Sequence, residues 1–81
     1  MNIDLSQKAR ELKIGRYRHF KGGEYEVIGV ALDADDHTKE LVIYRSLADG
    51  MLWVRPLVEF TEEVNTLDNN YRGSRFIYLG Q

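Results

Sequence analysis

Along this chain the spacing of apolar residues changes from a helical period to an alternating one near residue 15. Over residues 4–13, Leu5, Ala9 and Leu12 fall on one face at i, i+4, i+7, which predicts a short helix. Asp4 with Gln7 three places on has the form of a capping box, and Gly15 closes the segment shortly after Lys13. A helix of this length is marginal alone and has to dock on the rest of the chain.

From Gly15 the period is two. "RYRHF" and "EYEVIGVALD" flank Gly22-Gly23, a pair suited to the positive φ of a tight hairpin turn. On the second strand Tyr25, Val27, Gly29 and Ala31 share one side; Glu26, Ile28, Val30 and Leu32 share the other. Apolar residues on both sides imply either a strand covered twice or one bent through a corner, with Gly29 the natural place for a bend or bulge. "DADDHTK" is a polar connection, "ELVIYRSL" a third strand, "ADG" a turn and "MLWVR" a fourth strand. Pro56 ends that strand because it cannot donate to a ladder, and it suits the first turn of a helix. Leu57, Phe60 and Val64 then follow helical spacing over a turn or two. "NTLDNNYRGS" reads as a loop, and "RFIYLG" as a last strand or a loosely held tail. The expectation is a mainly β single domain over 1–81. It is a small antiparallel SH3-like barrel with a short N-terminal helix and a helical turn after Pro56, closed to remove exposed edges.

Length and charge narrow the function. Eighty-one residues bury a modest core, about 60% of the surface the unfolded chain exposes. There is no cysteine, hence no disulfide framework or thiolate metal site, in keeping with a reducing compartment. No apolar stretch approaches the roughly 18 residues of a membrane span, and the N-terminus is too polar for a secretory signal, so the expected place is the cytoplasm. The net charge of −2 conceals two blocks. Lys8, Arg10, Lys13, Arg16, Arg18 and Lys21 stand against Glu11; Glu24, Glu26, Asp33, Asp35, Asp36 and Glu40 stand against Lys39. A basic patch for phosphates is one outcome; mutual pairing across strands is the simpler one.

"GRYRHFKGGEYEVIGVA", "LVIYRSL" and "LWVRPLVEF", in that order over residues 14–64, resemble the signature of a bacterial family, domain of unknown function 1653. The resemblance implies a small, mainly β, stand-alone domain and carries no catalytic residues with it. The label cyclomaltodextrinase, which some members bear, would require a (β/α)₈ barrel of about 250 residues. Residues 65–81 then count as a C-terminal extension or a last strand.

No motif specifies a reaction. An EF-hand opening at Asp33 would need Gly sixth and Glu twelfth, where this chain has Thr38 and Tyr44, so "DADDHTK" is read as a hairpin connection and no metal or other cofactor is implied. His19 is the candidate general base, since histidine titrates near neutrality, but it needs a partner such as Glu24, Glu26 or Glu59. The aromatic and arginine residues are more suggestive. With strands paired in order, Tyr17, Tyr25, Tyr44 and Trp53 would line one groove, and Arg16, Arg18, Arg45 and Arg55 would stand at its rim. The same residues would equally fill a small core, and alternation alone does not tell which face points inward. The expected function is a non-catalytic binding or adaptor module for a peptide, protein surface or nucleic acid, with Tyr17, His19, Tyr44, Arg45, Trp53 and Arg55 as its site. The alternative is a small carbohydrate- or nucleotide-acting enzyme, or enzyme subunit, using His19 with a carboxylate. A monomer or a weak homodimer, built on an exposed strand or on "RFIYLG", completes the expectation.

Overall fold

A computed structural model describes residues 5–66 and 71–81. The elements are α1 (Gln7–Glu11), β1 (Gly15–His19), β2 (Glu24–Leu32), β3 (Glu40–Ser46), β4 (Leu52–Pro56), α2 (Leu57–Phe60), β5 (Glu63–Thr66), β6 (Tyr71–Ser74) and β7 (Phe76–Gly80). Five strands form one antiparallel sheet in the order β4-β3-β2-β1-β7, and β5 pairs with β6 in a separate two-stranded sheet.

The fold is mainly β and antiparallel, as expected, but the sheet is open rather than closed into a barrel. Pro56 accounts for much of this: it ends β4 and turns the chain directly into α2, whose N-cap it occupies. Leu57 and Phe60 of α2 then cover the sheet's inner face, filling the space that a closing strand would enclose. Val64, expected on the same helix, lies in β5. Part of the expected loop "NTLDNNYRGS" is instead strand, in β5 and β6; its residues 67–70 lie outside the described ones.

The N-terminal helix is shorter than its apolar spacing suggested. Its cap is Ser6, whose Oγ accepts the Ala9 N–H at 3.1 Å and donates to Glu40 Oε1 at 2.6 Å, while the Ser6 N–H donates to Glu40 Oε2 at 2.6 Å. Glu40 opens β3, so a tertiary contact selects the cap; Asp4 lies outside the described residues. Leu12 is already extended, and Gly15 begins β1 instead of ending the helix. Glycine is needed there for packing: at φ 136°, a Cβ on Gly15 would stand 2.7 Å from the Gly80 carbonyl oxygen of β7.

A bulge resolves the two-sided pattern of β2. Val27 pairs with Tyr44 and Gly29 with Ile43, which leaves Ile28 as the extra residue. One added residue reverses the parity of a strand. Tyr25 and Val27 therefore face the core before the bulge and Val30 after it, whereas Ile28 is exposed. The core lies on this one face: Tyr17, Val27, Val42, Tyr44 and Phe76 from the sheet meet Ala9, Leu57 and Phe60 from the helices. Phe60 is its centre, stacked on Phe76 at 4.1 Å between ring centroids and edge-on to Tyr17 at 5.4 Å.

The two charge blocks meet by strand pairing. Register sets Arg16 against Glu26 and Arg18 against Glu24 across β1 and β2. Arg16 approaches Glu24 to 4.0 Å, and Arg45 of β3 pairs with Glu26 on the outer face. In the β2–β3 connection, Asp33 accepts the N–H groups of Asp35 and Asp36, and Asp36 accepts the N–H and hydroxyl of Thr38. These carboxylates cap their own loop, and the Thr38 bonds hold the Asp36 pKa below its ordinary value. The segment 71–80, expected as an extension or last strand, contributes β6 and β7, with β7 hydrogen-bonded to β1.

Candidate functional site

Alternation places His19 (β1), Tyr25 (β2), Tyr44 (β3), Trp53 and Arg55 (β4) and Phe76 (β7) on the inner face, beside the part covered by α2. Together they line a half-open cleft of about 200 Å³. Trp53 sits opposite Tyr44, and Arg55 opposite Val42, in the β3–β4 ladder. Arg55 Nε donates to the Tyr44 hydroxyl at 3.3 Å, and its Nη1 lies 3.6 Å from Glu59 at i+4 on α2. The guanidinium is thus held by a neutral oxygen on one side and a half-exposed carboxylate on the other.

His19 is positioned by the hairpin it enters. Its ring packs edge-on to Phe76 at 4.9 Å and against Phe20 at 4.6 Å, and Nδ1 accepts the Lys21 N–H at 3.1 Å. A neutral ring that accepts at Nδ1 carries its proton on Nε2. Burial lowers the His19 pKa, and Arg55, Arg75 and Lys21 lower it further, which favours the neutral ring. Phe20 in turn stacks on Tyr71 of β6 at 5.5 Å, and the Phe20 N–H donates to the Arg75 carbonyl at 2.9 Å, which fastens the second hairpin behind the cleft. Arg75 is paired with Glu62.

Of the expected site, His19, Tyr44, Trp53 and Arg55 come together, and Tyr17 and Arg45 do not. Tyr17 is 6% exposed beneath Phe60, and its hydroxyl donates to the Lys13 carbonyl at 2.7 Å; burial, then Tyr78, raises its pKa. It is a core residue. Arg45 points to the outer face with Glu26, because it is one residue out of phase with Tyr44. The expected groove is therefore part core and part cleft: Tyr44 is 5% exposed and forms the floor, while Trp53 is 50% exposed and forms a wall. Phe76 was absent from the expected site; the alternation of "RFIYLG" signals its burial once that segment is taken as a strand.

The carboxylates considered as partners for a catalytic His19 are engaged elsewhere. Glu24 approaches Arg16, Glu26 pairs with Arg45 on the outer face, and Glu59 pairs with Arg55. Among the described residues, no group of three or more His, Cys, Asp or Glu side chains is placed to hold a metal ion, and no helix is long and apolar enough to cross a membrane.

An open antiparallel sheet, plugged on one face by short helices and carrying an aromatic cleft beside them, defines a small mainly β domain. The chain belongs to the DUF1653 family: the family model described as "Protein of unknown function (DUF1653)" matches residues 15–78, from the start of β1 into β7. It is similar to a protein of that family from Bordetella bronchiseptica whose crystal structure is known, with 28% identity over 89% of this chain and 92% of that one, at a TM-score of 0.78. No curated protein matches the chain.

Proposed function

We propose that this domain is a non-catalytic binding module whose cleft receives an acidic side chain, or a terminal carboxylate, from an extended segment of a protein partner. The carrying observation is the grouping of Arg55, His19 and the half-exposed Trp53 around about 200 Å³. Pockets for whole small molecules run to about 300–1,000 Å³, so this one suits a single side chain better than a nucleoside or a sugar chain. The guanidinium offers paired donors to a carboxylate, and the indole offers a flat apolar wall to the adjoining backbone. An incoming carboxylate competes with Glu59, held at 3.6 Å and half exposed.

Nucleic acid suits the chain less well. Its net charge is −2, and Arg16, Arg45, Arg55 and Arg75 each have a carboxylate neighbour, which leaves little continuous positive track for a phosphate backbone. The enzyme reading draws less support again, since His19 faces cations instead of a carboxylate. The lack of cysteine fits a cytoplasmic protein.

The test is a ¹⁵N NMR titration of the full chain with matched extended peptides, glutamate-rich and lysine-rich. Acidic peptides should shift the Trp53 indole N–H and the His19 and Arg55 amides; R55A and W53A should abolish those shifts, and R45A should preserve them. Shifts from lysine-rich peptides alone, or none from either set, would refute the proposal.

A further inference from the structure

β4, one of the two outermost strands of the five-stranded sheet, is apolar, and among the described residues no strand pairs with its outer side. Met51, Leu52, Trp53 and Val54 are exposed by 55%, 59%, 50% and 61%. Natural sheets usually blunt such an edge with charge, a bulge or a covering element; between Leu52 and Val54 β4 carries no charged side chain, and its ladder with β3 runs without a register shift. The Met51 carbonyl accepts the Ser46 N–H of β3 at 2.9 Å. Backbone groups alternate in direction along a strand, so Trp53 and Arg55 also face β3, and Leu52 and Val54 turn theirs to the open edge. That edge is bounded on both sides. Pro56 has no N–H, and the Gly50 N–H is used by the Ser46 carbonyl at 2.8 Å.

We propose that β4 pairs antiparallel with β4 of a second copy, about a two-fold axis beside Trp53, to give a homodimer with one continuous ten-stranded sheet. Only one register satisfies the edge. Centred on Leu52, the pairing would set Val54 against the partner's Gly50, which lies in a turn at φ 75°. Centred on Val54, it would set Leu52 against the partner's Pro56, which has no donor. Centred on Trp53, Leu52 lies opposite the partner's Val54, and the two exchange both backbone hydrogen bonds; symmetry repeats the exchange. Trp53 and the partner's Trp53 then form a directly opposed, non-hydrogen-bonded pair, the arrangement in which cross-strand side chains approach most closely. Arg55, the strand's one charge, falls opposite the partner's Met51, so no like charges meet. The same patch serves both copies, so the assembly closes at two. Each cleft gains a wall from the other copy. This proposal does not depend on what the cleft binds.

Sedimentation equilibrium of the full chain over the micromolar range tests it, with V54P and V54K as variants. V54P removes an N–H that β3 does not use, so it deletes bonds of the dimer and none of the monomer's ladder. The wild-type chain should dimerise, and V54P should weaken the dimer at least about tenfold. Should V54P lose its folded circular dichroism spectrum, V54K, which sets a charge on the outer face of the edge, supplies the same test. The chain has one tryptophan and no cysteine. Its fluorescence should therefore shift to the blue as the dimer forms, and W53C should oxidise to a cross-linked dimer far faster than L52C. A wild-type monomer throughout, or a dimer indifferent to both Val54 substitutions, overturns the proposal. Equal cross-linking of L52C and W53C overturns the register. A monomer that instead binds foreign peptides through the Leu52 and Val54 amides overturns self-pairing.

Discussion

Phe60 should be the most costly single side chain to remove. It is 2% exposed and touches three aromatic rings, with Phe76 stacked at 4.1 Å, Tyr17 edge-on at 5.4 Å and Tyr44 tilted at 5.5 Å. Truncating a buried phenylalanine to alanine costs about 3–5 kcal/mol, since the lost transfer energy is joined by the cavity left behind. At about 0.05–0.15 kcal/mol per residue, a domain of this length has roughly 4–12 kcal/mol in total. F60A should therefore lose about a quarter or more of the stability, and F60L, which leaves a smaller void, about 1–2 kcal/mol. Val58, two residues away on α2 and 66% exposed, is the control: V58A should stay within about 0.5 kcal/mol. Urea unfolding followed by far-ultraviolet circular dichroism gives the three differences, provided the m-values agree. Because Phe76 also contacts His19 at 4.9 Å, F60A should in addition shift the His19 imidazole resonances. If F60A costs under about 1.5 kcal/mol, or no more than V58A, the account of α2 as a plug over an open sheet is wrong.

Further outcomes follow from particular contacts. The folded pKa of His19 lies below its ordinary 6.5, so the unfolded chain takes that proton first; its contribution is present above about pH 6.5 and is lost as pH falls through the folded value. Stability measured between pH 7 and 5 should decline for the wild type, and H19N should flatten that decline. Glu40 has its pKa lowered by the Ser6 hydroxyl, then by the Ser6 N–H, so its contribution is present above the ordinary carboxylate range and fades in more acid solution. S6A should lose the cap and the hydroxyl bond to Glu40 while keeping the backbone N–H bond to it; the lost cap should cost about 0.5–2 kcal/mol, and hydrogen exchange should then speed up in Ala9 and Arg10. Y17F removes the donor to the Lys13 carbonyl and should cost about 0.5–1.5 kcal/mol without altering peptide binding in the cleft.

Local chemistry makes much of the fold legible in the sequence. Gly22-Gly23 marks the first hairpin, Pro56 the end of β4, and Gly29 the irregularity in β2. The apolar content of β2 left two readings open, a strand covered twice or one with a bulge near Gly29; the second holds, with Ile28 as the extra residue. The assumption of closure failed because alternation describes faces, not edges, and nothing in "LWVRP" announces that its outer side stays unpaired. The helix boundary failed because Ser6 is chosen by Glu40, a residue 34 positions away. The site was half legible. His19, Tyr44, Trp53 and Arg55 can be named from strand order and period, and the same period sets Arg45 on the face opposite Tyr44; Tyr17 is sorted out only by knowing what α2 covers.

The bulge at Ile28 also governs how the chain tolerates changes in length. Deleting that residue would put Val30 and Leu32 out of step with Val42, turning them to solvent and bringing Gly29 and Ala31 to the interior. A residue added to the polar connection after Asp33 would leave every facing pair in place. Gaps between relatives of this domain should therefore gather in that connection and avoid the middle of β2, where a single omission would exchange what is wet for what is dry.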